Sequence, residues 1–271
     1  MLFSIVTPVL NGRQFVSQYV QYLKAQFYCN WEAIIVDDGS SDGTVELLNS
    51  HTRNDPRFRV LKNTRSKTVT GPYQARNFSF SFLRGDYVCF LDIDDFWHPQ
   101  YLLSLSSLIE SAPIKPVLSY SSYYRVDSSK GLAVKRSVAW PLSPKLLIHF
   151  VNIVPMLTSC LSVDFLRTSS LSFMPVNHED FLFWKSVIDN VPVDQILVGD
   201  YALAYYSVSS SSLSGNKLKS LIWLILCYRR FGYNPFMIVF AFVLRLLYEL
   251  ASLSRTYFDV DSVKAFGFIS D

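Results

Sequence analysis

The amino-acid sequence predicts an α/β fold built on a mostly parallel sheet, and three observations lead to that prediction. Strand and helix signals alternate through roughly the first 100 residues, polar clusters follow three of the strand signals, and 50% of the 271 residues are hydrophobic. Alternation of this kind implies right-handed crossovers between parallel strands. A chain of this length can bury one large core, with or without a further tail.

The first strand signal is residues 3–6, which are apolar and partly β-branched and which stop at Thr7 and Pro8. A turn follows, and it leads into a predicted helix. The apolar residues of that helix recur at helical spacing: Val16, Tyr19, Val20 and Leu23.

Three further strands are predicted in the N-terminal part, at residues 31–36, 57–61 and 87–91. Helix signals separate them, first around residues 45–48 and then from a Gly-Pro step through residues 72–82. Beyond residue 100 the pattern is weaker. We expect strands of a mixed part of the sheet there, at residues 117–126, 159–163 and 194–206.

Polar side chains follow three of the N-terminal strands. The carboxyl ends of parallel strands meet at one edge of a sheet, and ligands bind beyond that edge. We therefore expect the polar residues to converge on one site. They are Thr7, Asp37, Asp38, Asp92, Asp94 and Asp95.

The strongest single signal is residues 87–95, an apolar run that ends in three carboxylates. Asp92 and Asp94 are two apart, so in an extended chain their side chains point the same way. Clustered carboxylates repel each other unless a cation or a proton is present, and Mg²⁺ or Mn²⁺ prefers such oxygen ligands. The alternative is an acidic turn at which Asp95 precedes and caps the next helix.

The charge balance argues against a nucleic-acid-binding protein, because the net charge is only +3 and no long run of Lys and Arg occurs. The four cysteines lack the CxxC spacing of zinc sites, so we expect reduced core residues. They are Cys29, Cys89, Cys160 and Cys227. The first residues lack the basic segment of a signal peptide and are typical of a strand, which favours an intracellular protein.

Taken together, the motifs resemble family 2 of the glycosyltransferases. The similar segments are residues 4–11 (SIVTPVLN), 34–44 (IIVDDGSSDGT), 74–77 (QARN) and 85–97 (GDYVCFLDIDDFW). A later segment, residues 178–184 (HEDFLFW), resembles the acidic catalytic motif of the family. The resemblance extends to about residue 207. It implies an A-type glycosyltransferase fold and inversion at the anomeric carbon of the donor sugar.

For the nucleotide-diphospho-sugar donor, the resemblance implies that Thr7, Pro8 and Val9 lie near the base. Asp38 would hydrogen-bond the base edge, with Asp37 beside it. A plain Asp-Gly turn is the alternative for this pair of aspartates. Many family members carry an aromatic residue where Val9 stands, and this departure weakens the case for base stacking.

The resemblance further implies that Arg76 faces the donor phosphate or ribose, which agrees with the match between a guanidinium fork and phosphate oxygens. The alternative is a surface arginine paired with a carboxylate. Asp92 and Asp94 would contact the donor, and Asp94 and Asp95 would hold a divalent cation, Mn²⁺ or Mg²⁺. That cation would neutralise charge on the leaving nucleoside diphosphate.

By the same resemblance, Asp180 is expected to be the general base that deprotonates the acceptor hydroxyl, with Glu179 as the rival candidate. The alternative is that both acids start a helix and are stabilised there by its dipole. The residues that follow them, Phe181, Phe183 and Trp184, are typical of a buried helix face.

The C-terminal part changes character. Residues 207–214 are serine-rich, and the apolar runs at 218–228 and 236–250 are each shorter than the ~20 residues that span a bilayer. We expect either an interfacial pair of helices, with Trp and Tyr anchors and arginines toward anionic headgroups, or a hairpin packed on the catalytic domain or on a partner chain. We predict a glycosyltransferase catalytic domain at residues 1–207, with a nucleotide-sugar-binding half at 1–100 and an acceptor half at 101–207. Residues 208–271 are predicted to form a C-terminal helical segment that associates with a membrane or packs on the domain.

The expected protein is therefore a peripheral glycosyltransferase on the cytoplasmic face of a membrane. Its expected acceptor is a glycan or lipid-linked glycan of a surface polysaccharide such as O-antigen or capsule, which rests on family analogy alone. The sequence specifies no oligomeric state. Two alternatives stay open: a catalytically silent nucleotide-sugar-binding subunit, and a dehydrogenase, although no GxGxxG follows the first strand.

Overall fold

Strands and helices alternate along the chain and assemble one mixed sheet. A computed structural model describes residues 1–63, 72–127, 129–138, 141–176, 178–208 and 217–259. The strands within these ranges are β1 Phe3–Val9, β2 Trp31–Asp37, β3 Phe58–Lys62, β4 Tyr87–Phe90, β5 Phe96–Trp97, β6 Leu118–Asp127, β7 Leu132–Arg136, β8 Cys160–Ser162, β9 Ile196–Ser207 and β10 Leu253–Asp259.

The helices in the same ranges are α1 Val16–Lys24, α2 Thr44–Thr52, α3 Pro72–Ser79, α4 Tyr101–Ser111, α5 Pro144–Leu147, α6 Val163–Ser169, α7 Glu179–Asn190, α8 Lys217–Arg230 and α9 Pro235–Ser252. The helix predicted from Val16, Tyr19, Val20 and Leu23 is confirmed as α1, and all four side chains are buried. Gly71 of the predicted Gly-Pro step lies outside the described residues, whereas α3 itself begins at Pro72.

The sheet has two differently built halves, in the order β10-β7-β6-β8-β4-β1-β2-β3. β4, β1, β2 and β3 run parallel, as the alternating pattern predicts. β8 then runs antiparallel to β4, and most pairings beyond it are antiparallel, apart from β6 with β9. The predicted parallel sheet is thus confirmed for the N-terminal half, while the C-terminal half is mixed.

The first strand is longer than predicted, because β1 continues through Thr7 and Pro8 to Val9. Pro8 lacks an N–H, but it lies beyond Val6, the last residue of β1 that pairs with β4. The ladder to β4 therefore loses no hydrogen bond at Pro8. On the other side β1 stays paired with β2, where Pro8 is opposite Val36.

Two cores cover the two faces of the parallel half, because successive strand side chains alternate between faces. Ile5 and Cys89 face the core that contains residues of α1, α2 and α4. Val6 and Phe90 face the core that contains residues of α3, α6 and α7. Three cysteines are buried as predicted, but Cys29 is exposed, so the prediction for that residue was wrong.

The C-terminal helices belong to the second of these cores. One face of α8 and α9 is buried there together with residues of α7: Leu224, Cys227, Tyr228, Ile238, Ala241 and Tyr248. β10, which the sequence did not predict, extends the sheet by pairing with β7. One predicted alternative, a hairpin packed on the catalytic domain, thus describes this buried face. The proposed division at residue 207 stays a prediction.

The opposite face of α9 is apolar and exposed. We call it the α9 stripe, and it consists of Phe236, Val239, Phe240, Val243, Leu246, Leu247 and Leu250. Phe236 is 82% exposed and Leu250 61%. Within the described ranges, no helix combines the length and the apolar character that crossing a bilayer requires. Most of the serine-rich segment, residues 209–214, lies outside the described residues.

Candidate active site

A cavity of about 870 Å³ brings together the two acidic clusters that are far apart in sequence. Asp92 and Asp95, which follow β4, line it from one side. Glu179 and Asp180, in the first turn of α7, line it from another. The predicted donor motif and the predicted catalytic motif therefore share one space.

Arg76 joins the two clusters. Its Nη2 donates to Asp92 Oδ1 at 2.9 Å, and its Nη1 donates to Glu179 Oε1 at 3.0 Å. The residue is only 4% exposed, and its Nε has no hydrogen-bond partner among the described residues. Arg76 is thus a buried arginine, not a surface one. In this arrangement its two terminal nitrogens already bind carboxylates, so they are not open to a phosphate.

The charge on Arg76 is held in place by its carboxylate partners. Burial works against the charged guanidinium, but attraction to Asp92 and Glu179 outweighs it and raises the pKa of Arg76. A buried charge of this kind is tolerated only while its partners are present. Arg76 is therefore the electrostatic centre of the cavity's acidic side.

The acidic cluster after β4 forms a turn rather than an extended segment. The N–H of Asp95 donates to the carbonyl of Asp92 at 3.1 Å. Asp92 faces Arg76, Asp94 is exposed, and Asp95 is buried with its Oδ1 accepting the N–H of Ser207 at 2.9 Å. The expectation that Asp92 and Asp94 point the same way was wrong, because the chain turns between them.

The residues after this turn do not continue as a helix. Phe96 and Trp97 form β5, and α4 begins only at Tyr101, so Asp95 caps no helix. Trp97 is buried in the core, where its Nε1 donates to the carbonyl of Leu157 at 2.8 Å. The turn is therefore fixed on one side by β4 and on the other by a buried strand.

Three of the acids hold protons more readily than usual. Burial, reinforced by Asp92 and Asp94, raises the pKa of Asp95 well above its ordinary value. Crowding by protein atoms that displace water, together with the charge of Asp92, raises the pKa of Asp94. Burial and Asp180 raise the pKa of Glu179 against the opposing effect of Arg76. Such shifts indicate a site where a bound cation is favourable.

The carboxylates after β4 suit a hard divalent cation, although they do not by themselves complete its coordination shell. Within the described ranges, no three His, Cys, Asp or Glu side chains converge on a common metal position. Mg²⁺ and similar ions are commonly held by one or two carboxylates, with substrate phosphates supplying further oxygens. Asp92 is engaged by Arg76, which leaves Asp94 and Asp95 as the carboxylates that fit such a role.

Asp180 has a partner that the sequence did not predict. Asn152 Nδ2 donates to Asp180 Oδ2 at 2.8 Å, and Asn152 also lines the cavity. Asn152 lies in an irregular segment between α5 and β8, so neither periodicity nor spacing could identify it. The hydrogen bond fixes one oxygen of the Asp180 carboxylate.

The start of α7 presents both acids to the cavity. His178 precedes the helix with a left-handed φ of 56°, and its side chain provides no cap. Glu179 and Asp180 then occupy the first turn, where the helix dipole favours negative charge. The helix-start interpretation and a catalytic role are therefore compatible.

The predicted nucleotide residues lie at the sheet edge, at the ends of β1 and β2. They are Thr7, Pro8, Val9, Asp37 and Asp38. The N–H of Asp38 donates to the carbonyl of Val9 at 2.8 Å, which ties the two strand ends together. These residues do not line the 870 Å³ cavity.

Their side chains already have local partners. The Thr7 hydroxyl lies 2.6 Å from Tyr19 Oη in the core. The Asp37 carboxylate accepts the N–H groups of Gly39 and Ser40, as the turn alternative expects. Asp38 Oδ1 accepts from Asn63 Nδ2 at 2.8 Å. Binding of a base by these residues stays a prediction.

Sequence comparisons identify related proteins over most of the chain. The profile described as Glycosyl transferase family 2 matches residues 4–144. The chain is 30% identical over 223 residues to the Escherichia coli UDP-Glc:alpha-D-GlcNAc-diphosphoundecaprenol beta-1,3-glucosyltransferase WfgD, covering 81% of this chain and 82% of that protein. It is 27% identical over 223 residues to the putative teichuronic acid biosynthesis glycosyltransferase TuaG of Bacillus subtilis, covering 81% and 84%.

Solved structures share the architecture. S. aureus TarS 1-349 in complex with UDP-GlcNAc superposes with a TM-score of 0.64 at 19% identity, covering 80% of this chain and 61% of that one. The mannosyltransferase PcManGT from Pyrobaculum calidifontis in complex with GDP-Man and Mn2+ gives 0.61 at 14% identity, covering 88% and 68%. At these identities the likeness concerns the fold, and the predicted A-type architecture is confirmed.

Proposed function

The chain belongs to glycosyl transferase family 2, and from this premise we propose a specific reaction for its cavity. A sugar passes from a uridine-diphosphate sugar to a hydroxyl of a lipid-diphosphate-linked glycan, with inversion at the anomeric carbon. The names of WfgD and of the TarS complex support this donor, and the name of WfgD supports this acceptor. The observation that carries the proposal is the shared cavity of Asp92, Asp95, Glu179 and Asp180.

The donor nucleotide lies across the ends of β1 and β2 in this proposal. The Asp38 carboxylate accepts the imide N–H of the base, a charged hydrogen bond of about 1.5–3 kcal/mol. Since the Thr7 hydroxyl is bonded to Tyr19, the segment from Thr7 to Val9 contributes through its backbone. Asp37 shapes the loop after β2 through its hydrogen bonds to Gly39 and Ser40.

Asp94 and Asp95 would hold a Mn²⁺ or Mg²⁺ ion. When bound, the ion would supply Lewis-acid stabilisation of charge on the leaving diphosphate. The PcManGT complex contains Mn2+ beside GDP-Man, which supports metal use in this fold. Arg76 keeps Asp92 and Glu179 in place around that site.

Asp180 is the general base, and two contacts favour it over Glu179. Asn152 holds Asp180 Oδ2, which leaves Oδ1 to receive the proton of the acceptor hydroxyl. Glu179 is bound to the buried guanidinium of Arg76 and acts as a positioning residue. As the acceptor oxygen bonds to the anomeric carbon, the bond to the diphosphate breaks and the proton passes to Asp180.

The reaction is tested with a donor panel of UDP-Glc, UDP-GlcNAc and GDP-Man, each with and without Mn²⁺. We expect one UDP-sugar to raise the melting temperature only when the metal is present. With that donor, mass spectrometry should detect one added sugar on a decyl-diphosphate-linked α-GlcNAc acceptor. Binding without transfer to any acceptor would favour a catalytically silent subunit, and the absence of donor binding would contradict the proposal.

The α9 stripe supports contact with an anionic membrane surface on the cytoplasmic side. Its members recur every three or four residues, so they form one continuous apolar face along the helix. Arg229 and Arg230 are exposed at the end of α8 and add positive charge for lipid headgroups. A lipid-linked acceptor requires the enzyme to work at such a surface.

Vesicle flotation tests the membrane contact. We expect Val239→Gln with Leu246→Gln to reduce flotation with phosphatidylglycerol vesicles several-fold, whereas the control Leu103→Gln, an exposed leucine on α4, has no effect. Removing residues from 218 onward is a poor test, because it would also remove Leu224 and Tyr228 from the core. If the wild type does not float, or if the variants abolish a dimer instead, the stripe is not a membrane surface.

A further inference from the structure

The lining of the 870 Å³ cavity contains charged side chains of both signs. The part that we call the acidic end is lined by Asp92, Asp95, Glu179 and Asp180, and Arg76 pairs there with Asp92 and Glu179. Three further arginines line the part that we call the arginine end: Arg125 of β6, Arg136 of β7 and Arg245 of α9. The two parts adjoin, because Arg125 is in register with Tyr206 and the next residue, Ser207, donates its N–H to Asp95. The reaction derived above uses only the acidic end.

The arginine end has more positive charge than its own surroundings neutralise. Arg136 Nη1 pairs with Glu249 Oε2 at 2.9 Å, and Glu249 is the acid that lines this end. Neither Arg125 nor Arg245 has a carboxylate within 4.0 Å in the part of the chain that the structure describes. Among these four lining residues, three arginines and one glutamate, the excess is two positive charges.

We propose that the arginine end binds the diphosphate of a lipid-diphosphate-linked acceptor, an assignment that rests on the proposed function. Guanidinium groups match phosphate oxygens in fork geometry, and several of them together suit a diphosphate. A sugar that lies between the two ends would present a hydroxyl to Asp180 while its anomeric diphosphate reaches the arginines. The acceptor would thus be oriented by charge at both ends of the cavity.

The position of Arg245 connects this subsite to the lipid surface. Arg245 stands on α9 directly before Leu246 and Leu247, which belong to the α9 stripe. Tyr123 and Tyr248 add aromatic surface to the same end of the cavity. An acceptor with an anionic head and a long apolar tail therefore matches the adjacent cationic and apolar surfaces of one helix.

The experiment compares two acceptors that differ only in the diphosphate: decyl-diphosphate-linked α-GlcNAc and decyl α-GlcNAc. We expect the double variant Arg125→Gln with Arg245→Gln to raise the KM of the diphosphate acceptor at least tenfold. The KM of the neutral acceptor and that of the UDP-sugar should stay within twofold. Arg53→Gln is the matched control, because Arg53 is an exposed arginine at the end of α2, away from the cavity.

Two results would overturn the assignment. An equal rise in the KM of the UDP-sugar would show that the arginines serve the donor diphosphate, and unchanged kinetics would show that they serve neither. If the double variant does not fold, Arg125→Gln alone decides, since Arg125 is exposed and forms no ion pair with the described residues.

A calorimetric titration separates this proposal from the proposed reaction. It measures binding of decyl-diphosphate-linked α-GlcNAc directly and needs no turnover. Weaker binding to the double variant would support the arginine subsite even if no donor were transferred. Equal binding to the wild type and the double variant would refute it, even if transfer were observed.

Discussion

The two halves of the sheet contribute differently to the candidate site. The N-terminal half is parallel, and its residues Asp92 and Asp95 follow a strand end directly. The C-terminal half is mixed, and its residues Asp180 and Asn152 come from a helix start and an irregular segment. The acids of the N-terminal half are therefore positioned by regular strand order, whereas Asp180 is positioned by a contact between distant segments. In the proposed reaction these halves are the donor side and the acceptor side.

Arg76 is the direct link between these halves, because it pairs with one acid from each. In the proposed reaction, the donor side supplies the carboxylates for the metal and the acceptor side supplies the base. Substitutions in the two halves should therefore affect different properties of the enzyme.

The donor half should lose activity when its metal carboxylate is removed. We expect Asp94→Asn, or chelation of the wild type with EDTA, to lower kcat by about 10²–10³-fold, because the leaving diphosphate loses its cation. Added Mn²⁺ should restore the chelated wild type but not Asp94→Asn. Full activity in EDTA would contradict the expected difference between the halves, since the donor side would then need no cation.

Removing the link should destabilise the whole fold. Arg76→Leu leaves Asp92 and Glu179, whose side chains are 37% and 16% exposed, without their buried partner. We expect a loss of about 1–3 kcal/mol of unfolding free energy, because charged hydrogen bonds are lost while water can partly solvate the remaining carboxylates. Urea denaturation measures the loss, and Arg84→Gln, an exposed arginine before β4, serves as the control. A loss below about 1 kcal/mol would mean that the two acid clusters are held by other contacts.

Loss of the contact that positions Asp180, in the acceptor half, should lower turnover without weakening donor binding. We expect Asn152→Ala to lower kcat about tenfold with the donor KM unchanged, because Asp180 loses the hydrogen bond that fixes its Oδ2. Asn152→Asp should be worse, since two carboxylates would repel each other. If the donor KM rises as much as kcat falls, Asn152 belongs to the donor side.

The smallest effect concerns pH and Asp95. Its folded-state pKa is raised, chiefly by burial, so the unfolded chain releases this proton at lower pH than the folded chain does. Stability should therefore fall as pH rises from the ordinary carboxyl range toward neutrality. Asp95→Asn removes this loss of stability. We therefore expect its free energy of unfolding at pH 7.5 to be about 1 kcal/mol higher than that of the wild type, which corresponds to a rise of about 2–4 °C in Tm. An unchanged or lower Tm for metal-free Asp95→Asn would contradict the assigned cause.

The parallel half could be predicted from sequence because its signals are local. Strand, turn and helix periodicity identified β1 through β4, and the acids of α7 were recognised from their motif. The turn from Asp92 to Asp95 was predicted only as an alternative to an extended segment, and the helix cap that went with that alternative is not formed, because β5 follows the turn.

The contacts that organise the acceptor side carried no sequence signal. Asn152 acts only through its proximity to Asp180, and the bridging role of Arg76 depends on two acids that lie 16 and 103 residues away. β10 pairs with β7 although the two strands are far apart in sequence, with Leu253 opposite Arg136, and periodicity alone does not reveal such a pairing. Such long-range contacts follow from the assembled fold rather than from local residue patterns.

In the proposed reaction Asp180, and not Glu179, deprotonates the acceptor hydroxyl within the cavity shared by both halves. The most direct test compares Asp180→Asn with Glu179→Gln and uses Asp189→Asn, at the far end of α7, as the control. We predict that Asp180→Asn lowers kcat at least 10³-fold while metal-dependent donor binding stays within threefold, and that Glu179→Gln keeps more turnover but unfolds more readily. Near-normal turnover by Asp180→Asn would contradict the account.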